Sequence, residues 1–142
     1  MSFESLIEKA VAKTGEPIKL KRRNAQPEAI EQAKVIAWAR ASERNYPYLQ
    51  LLHCSLNGVK MTKAQAVRAV AQGMKKGVAD LFLPVKKGVF SGLYIEMKSE
   101  KGRTSLDQSK FLTAVSENDY SAHICYSAVE AIDKIKGYYL SI

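Results

Sequence analysis

The sequence predicts a single α/β fold, a small mixed central sheet flanked by helices in the order helix, strand, (helix), strand, strand, helix, strand, helix. Three observations carry that expectation. Leu93-Tyr94-Ile95-Glu96-Met97-Lys98 alternates as a strand does, with Leu93, Ile95 and Met97 on one face and Tyr94, Glu96 and Lys98 on the other. Ala128, Ile132, Ile135 and Tyr139 recur at helical spacing near the C-terminal end. Turn chemistry at Asn57-Gly58 and Lys86-Lys87-Gly88 separates the periodic segments. The 142 residues suit one domain with its own core, and no internal repeat or low-complexity segment interrupts them.

Taken in order, residues 3–13 read as a short amphipathic helix. Residues 14–26 hold Gly15, Pro17, Lys19, Lys21, Arg22 and Arg23, an exposed basic arm or linker. Residues 1–26 therefore stand apart from a core domain of residues 27–142. Pro27 suits the first position of a helix running to about Arg44. On that helix Glu28, Gln32, Val35, Ile36 and Ala39 share a stripe, polar in its first turn and apolar beyond, while Glu31 falls nearer Lys34 and Trp38. Such a helix packs on a sheet and brings its N-terminal end to a site.

Residues 49–55 read as a strand and residues 62–74 as a helix broken by Gly73 and Gly77. The runs around Asp80 and Glu96 then form an antiparallel hairpin, with Pro84 ending the first. A polar loop over residues 99–104 leads to a helix beginning near Ser105, with Gln108, Phe111, Leu112 and Val115 on one face. Residues 121–126 form the last strand before the closing helix.

Composition narrows the function. Twenty-two Lys and Arg against 14 Asp and Glu give a net charge of +8, which favours a polyanionic partner such as nucleic acid. No apolar stretch approaches the ~20 residues of a membrane span, and the first residues lack the layout of a signal peptide, so a cytoplasmic protein is expected. Cys54 and Cys125 lie in strand-like runs without metal-ligand spacing and read as reduced, buried thiols.

The chemistry gathers around charges inside apolar strands. Asp80, Glu96 and Lys98 sit where an ion is costly unless paired or metal-bound. Glu96 and Lys98 share a face two residue rises apart, roughly 6.6 Å. Each residue also has a plainer reading. Glu28 is in a helical first turn, where any carboxylate is favoured, and Ser105-x-x-Gln108 fits a capping box. Glu96 with Lys98 could form a surface ion-pair ladder. Lys75, Lys76, Lys101 and Arg103 are candidate phosphate contacts on loops, each alone a solvated charge, and Asn57 is a turn residue and a weaker site candidate. His53 and His123 lack matching partners and read as core or sheet-face histidines. Trp38 and the seven tyrosines show no base-stacking spacing and read as core and rim.

The ordered set Glu28-x-x-x-Gln32, Ser55-Leu56-Asn57-Gly58, Gly73-x-x-x-Gly77-x-Ala79-Asp80, Ile95-Glu96-x-Lys98 and Gln108 resembles the VRR-NUC family, a branch of the PD-(D/E)XK nucleases with a restriction-endonuclease-like core. The resemblance spans roughly residues 27–140, and the length is similar to that of stand-alone phage and bacterial members. Ala79 departs from the proline common there, a residue that shapes backbone and ligates nothing. The resemblance implies Asp80 and Glu96 as main metal ligands, helped by the Met97 backbone carbonyl, with Mg²⁺ or Mn²⁺ as the ion. It implies that Lys98 positions or deprotonates the attacking water, that Glu28 is an outer or second-metal ligand, and that Gln108 hydrogen-bonds within the site, holding Lys98 or the water in place. The implied activity is metal-dependent phosphodiester hydrolysis in DNA, on branched structures such as four-way junctions, by a homodimer without an organic cofactor or membrane partner. Rival readings are a flap or single-strand nuclease and a non-catalytic basic DNA-binding domain on the same fold.

Overall fold

The computed structural model describes residues 27–140. The N-terminal helix and basic arm expected over residues 1–26 lie outside them. Four helices flank a four-stranded mixed sheet of strand order β1-β2-β3-β4.

Helix α1 (Pro27–Ser42) starts on its proline and buries Val35 and Ala39. It ends two residues short of Arg44. The strand expected at residues 49–55 is mostly absent. Pro47–Leu51 winds into a 3-10 turn that buries Leu49, and only His53–Cys54 (β1) pairs with the sheet. Pro47 cannot donate to a ladder and suits a helical start, so turn geometry displaces the strand there.

Helix α2 (Lys63–Ala71) is capped by Thr62, whose hydroxyl accepts from the Gln65 N–H while the Gln65 side chain accepts from the Thr62 N–H. It has no buried residue. Strands β2 (Leu81–Leu83) and β3 (Gly92–Met97) form the expected antiparallel hairpin. Helix α3 (Leu106–Glu117) crosses over to β4 (Tyr120–Cys125), which pairs parallel to β3. Helix α4 (Ala128–Leu140) closes the fold. Its buried stripe is Ala128, Ala131, Ile135 and Tyr138, with Ile132 only partly buried. The seam is thus rotated slightly from the one read in sequence.

Alternation along β2 and β3 divides the molecule into two faces. Leu81, Leu83, Leu93, Ile95 and Met97 meet α1 and α4 in one core. Burying each such side chain fully contributes about 1.5–3 kcal/mol relative to exposure. Two hydrogen bonds tie the helices to this layer: Glu31 accepts from the Ala128 N–H at 2.7 Å, capping α4, and the Tyr138 hydroxyl donates to the Val85 carbonyl. Glu31 also meets Lys34 at 3.0 Å, and the Ala128 bond, foremost, holds its carboxyl below its usual pKa.

The opposite face of β3 carries Tyr94 and Glu96 beneath α3. Gly77, at φ +86°, lies under the first turn of that helix, where a Cβ would stand 2.5 Å from the Asp107 backbone carbon. Only glycine meets both the left-handed conformation and the close approach. The loop before Asp80 is thereby held against the N-terminus of α3. Both cysteines are free, and burial pushes the Cys125 thiol up to about 12.

Candidate active site

Strand register brings the predicted carboxylates together. Leu81 pairs with Ile95 and Phe82 with Tyr94, so the same register extended by one residue sets Asp80 opposite Glu96. Asp80 precedes β2, and its carboxylate replaces a ladder partner: Oδ2 accepts from the Met97 N–H at 2.7 Å. On the other flank the Ser55 N–H donates to the Asp80 carbonyl at 3.0 Å.

Glu96 is only 1% exposed and Lys98 only 7%, so both charges are inside the protein. A surface ion-pair ladder is therefore not what this strand carries. Glu96 Oε1 accepts from Gln108 Nε2 at 2.7 Å and lies 3.4 Å from Lys98 Nζ. Glu96 Oε2 is buried without a hydrogen-bond partner among the described residues. Burial, and next the neighbouring Asp80 charge, pushes the Glu96 carboxyl up to about 7, against the pull of Lys98. Burial likewise raises Asp80, opposed by the Met97 N–H.

Gln108 forms the anticipated capping box, and its amide NH₂ meets Glu96 rather than Lys98. Its Oε1 accepts from the Ser105 N–H at 2.9 Å, while its own N–H donates to Ser105 Oγ at 3.2 Å, completing a capping box. With the amide oxygen committed to that cap, the NH₂ end must face the carboxylate. The helix start and the orientation of Glu96 are fixed by one side chain.

Glu28 stands further out. Its Oε1 accepts from the Ser99 N–H at 3.3 Å, tying α1 to the loop after β3. A Cβ at Gly102 would come within 3.2 Å of that oxygen, so the loop folds closely around Glu28. Its charge is near enough to raise Asp80 slightly. Among the described residues no group of three or more His, Cys, Asp or Glu side chains is poised to share a metal ion.

A divalent cation nevertheless suits the inner pair. A buried carboxylate oxygen without a partner is costly, and a cation relieves that cost together with the repulsion between Asp80 and Glu96. Mg²⁺ commonly takes one or two carboxylates and fills its remaining positions with water and substrate phosphate.

The weaker candidates spread around this centre. Lys75, Lys76, Lys101 and Arg103 are exposed on loops. Asn57 Nδ2 donates to the Val78 carbonyl at 3.3 Å, bracing the segment that leads into Asp80. Two placements escaped the sequence reading. Ser55 adjoins Asp80 across β1 and β2 with its hydroxyl buried and unpartnered among the described residues, and His53 joins a row of rings beside the carboxylates. Both follow from cross-strand pairing, which sequence spacing does not display. His123 is a sheet histidine as expected, with Nε2 3.0 Å from Ser121 Oγ and burial lowering its pKa.

The VRR-NUC domain model matches residues 12–129 of this sequence. The chain belongs to the VRR-NUC domain family. A solved structure described as a VRR_NUC domain protein superposes with a TM-score of 0.65 at 22% identity, covering 81% of this chain and 89% of that one. At that identity the likeness speaks to the fold, which is shared over most of both chains. A search among curated proteins found no match. VRR-NUC membership implies a nuclease of the PD-(D/E)XK type, with DNA as its substrate. No described helix is long and apolar enough to cross a membrane.

Proposed function

We propose that this VRR-NUC protein is a metal-dependent endodeoxyribonuclease whose reacting centre is Asp80, Glu96 and Lys98. One observation carries the reading most: Asp80 and Glu96 oppose each other with Glu96 Oε2 buried and unpartnered among the described residues, and Lys98 Nζ stands beside the same carboxylate. A structural ion pair would not need a second carboxylate pressed against it. A DNA-binding domain without catalysis has no use for the arrangement.

Asp80, Glu96 and the Met97 carbonyl would hold Mg²⁺ or Mn²⁺, which supplies Lewis-acid charge and a more acidic water when bound. The reaction is hydrolysis: a water oxygen bonds to phosphorus, and the P–O ester bond breaks to release an alcohol. Lys98, kept in place by Glu96, positions the water or takes its proton and steadies charge developing on the phosphate. Gln108 keeps Glu96 in register by fixing one of its oxygens. Glu28 acts through the loop over residues 99–102, which it braces. Lys75, Lys76, Lys101 and Arg103 are assigned to the DNA backbone, consistent with the +8 charge.

The substrate proposed is branched DNA, four-way junctions foremost, cut by a homodimer. That reading rests on the resemblance to stand-alone members. It is tested by incubating labelled junction, flap and linear duplex with Mg²⁺ or Mn²⁺ and by sizing the protein on junction DNA. Preferred cutting of the junction by a dimer supports it. Preference for flap or single strand, or a monomer on the junction, overturns the junction-resolving assignment while leaving the nuclease intact.

A further inference from the structure

The strand registers that assemble the carboxylates also assemble a second row beside them. His53 pairs with Phe82 across β1 and β2, and Phe82 pairs with Tyr94 across β2 and β3. Ser55, Asp80 and Glu96 lie two residues along these strands, hence on the same face, roughly 6.6 Å away. The rings are packed together. Phe82 and Tyr94 stack with centroids 4.3 Å apart and planes 13° from parallel, and His53 meets Phe82 edge-on at 5.7 Å. Helix α3 covers one end of the row, where Phe111 meets Tyr94 at 5.1 Å. The other end opens into a cavity of about 300 Å³ lined by His53, Phe82 and Tyr94 together with Ser55, Asn57 and Lys75.

Polar groups also line this cavity. Ser55 Oγ is buried and has no hydrogen-bond partner among the described residues. His53 Nδ1 lies 2.8 Å from the Leu51 carbonyl, which can only accept, so that nitrogen carries the proton and Nε2 is left for another partner. Lys75 adds an exposed positive charge at the rim.

We propose that this cavity receives one unstacked nucleobase of the cut strand, next to the phosphate that a cation on Asp80 and Glu96 would hold. Aromatic side chains bind any base through its π-face, while Ser55 and His53 offer hydrogen bonds to its edge. Lys75 takes the neighbouring phosphate. A base inside continuous duplex cannot enter without leaving its stack, so a branch point, flap or single-stranded gap is favoured by the protein itself. The inference rests on the nuclease reading and deepens it: substrate selection includes a demand for one displaced base.

An abasic scan tests it. Full-length protein is titrated, in Ca²⁺ in place of Mg²⁺ or Mn²⁺ so that the carboxylate pair is neutralised while cutting is suppressed, with labelled flap and junction DNA carrying a single abasic residue at successive positions. A parallel reaction with Mn²⁺ maps the cut. One position adjacent to the cut should lose about tenfold in affinity, with less than twofold loss elsewhere. Phe82→Leu and the exposed-site variant His53→Ala should bind intact DNA more weakly and no longer distinguish that position. Uniform affinity across the scan, with cutting intact, overturns the base site and leaves the nuclease standing. A position-specific loss without any cutting keeps the base site and removes the nuclease. Retention of the positional loss in both variants also overturns the assignment to this cavity.

Discussion

The two faces of β3 make opposite use of burial. Leu93, Ile95 and Met97 disappear into the core with α1 and α4, where exclusion of water is itself the stabilising event. Glu96, on the other face, is equally hidden, yet its burial raises its pKa to about 7 and leaves one oxygen without a partner among the described residues. Alternating residues of one strand therefore stabilise the fold and strain the site. The difference teaches that the site depends on the core. A strand anchored firmly on one side can hold a buried, only partly satisfied carboxylate on the other.

Substitutions on each face should separate the two effects. Asp80→Asn should lower DNA cleavage by about a thousandfold or more, the equivalent of several kcal/mol of transition-state stabilisation, with little change in melting temperature. Kinetics beside thermal unfolding checks it; comparable losses in both would mean the faces are not separable. Ile95→Ala should do the reverse, costing about 2–5 kcal/mol in denaturant unfolding while molecules that remain folded still cut.

The pH dependence sharpens the contrast. Glu96 has a raised pKa in the folded protein, so the fold favours its protonated form. Its contribution is fully present below about pH 4.5 and is lost as pH rises through about 7. Without metal, the stability of wild type relative to Glu96→Gln should fall as pH rises across that range. Mn²⁺ at pH 8 should restore part of the loss in wild type alone. Parallel pH profiles for the two proteins would remove the claim that Glu96 is strained.

Gln108 gives the smallest and most discriminating test, because it serves cap and site together. Gln108→Ala should reduce cutting by roughly 10–100-fold, as loss of a group orienting a ligand does. Ser105→Ala should cost about 1 kcal/mol of stability through the cap and leave cutting near wild type. Equal activity in the two variants would reduce Gln108 to a capping residue.

Much of this was legible in the sequence, and unevenly so. The alternation at Leu93 to Lys98, the hairpin and the closing helix were readable because each is a local pattern. The strand expected at residues 49–55 was not, because Pro47 and the burial of Leu49 favour a 3-10 turn that periodicity does not register. Asp80, Glu96 and Gln108 were nameable as an ordered set, and the capping box of Gln108 was readable, while its bond to Glu96 rather than Lys98 was not. The row His53, Phe82 and Tyr94 was invisible, since three residues 29 and 12 positions apart become neighbours only through strand register. Glu31 was read only as lying off the helix stripe; its capping of α4 depends on how two distant helices meet.

The most direct test of the central claim is a calorimetric titration of Mn²⁺ into the full-length protein, compared with Asp80→Asn and Glu96→Gln. A saturable site in wild type that is lost in both variants, with their folded spectra unchanged, is the result expected. Equal Mn²⁺ binding by all three proteins, or none in wild type at pH 8, would contradict the assignment of the Asp80–Glu96 pair as the metal-holding centre.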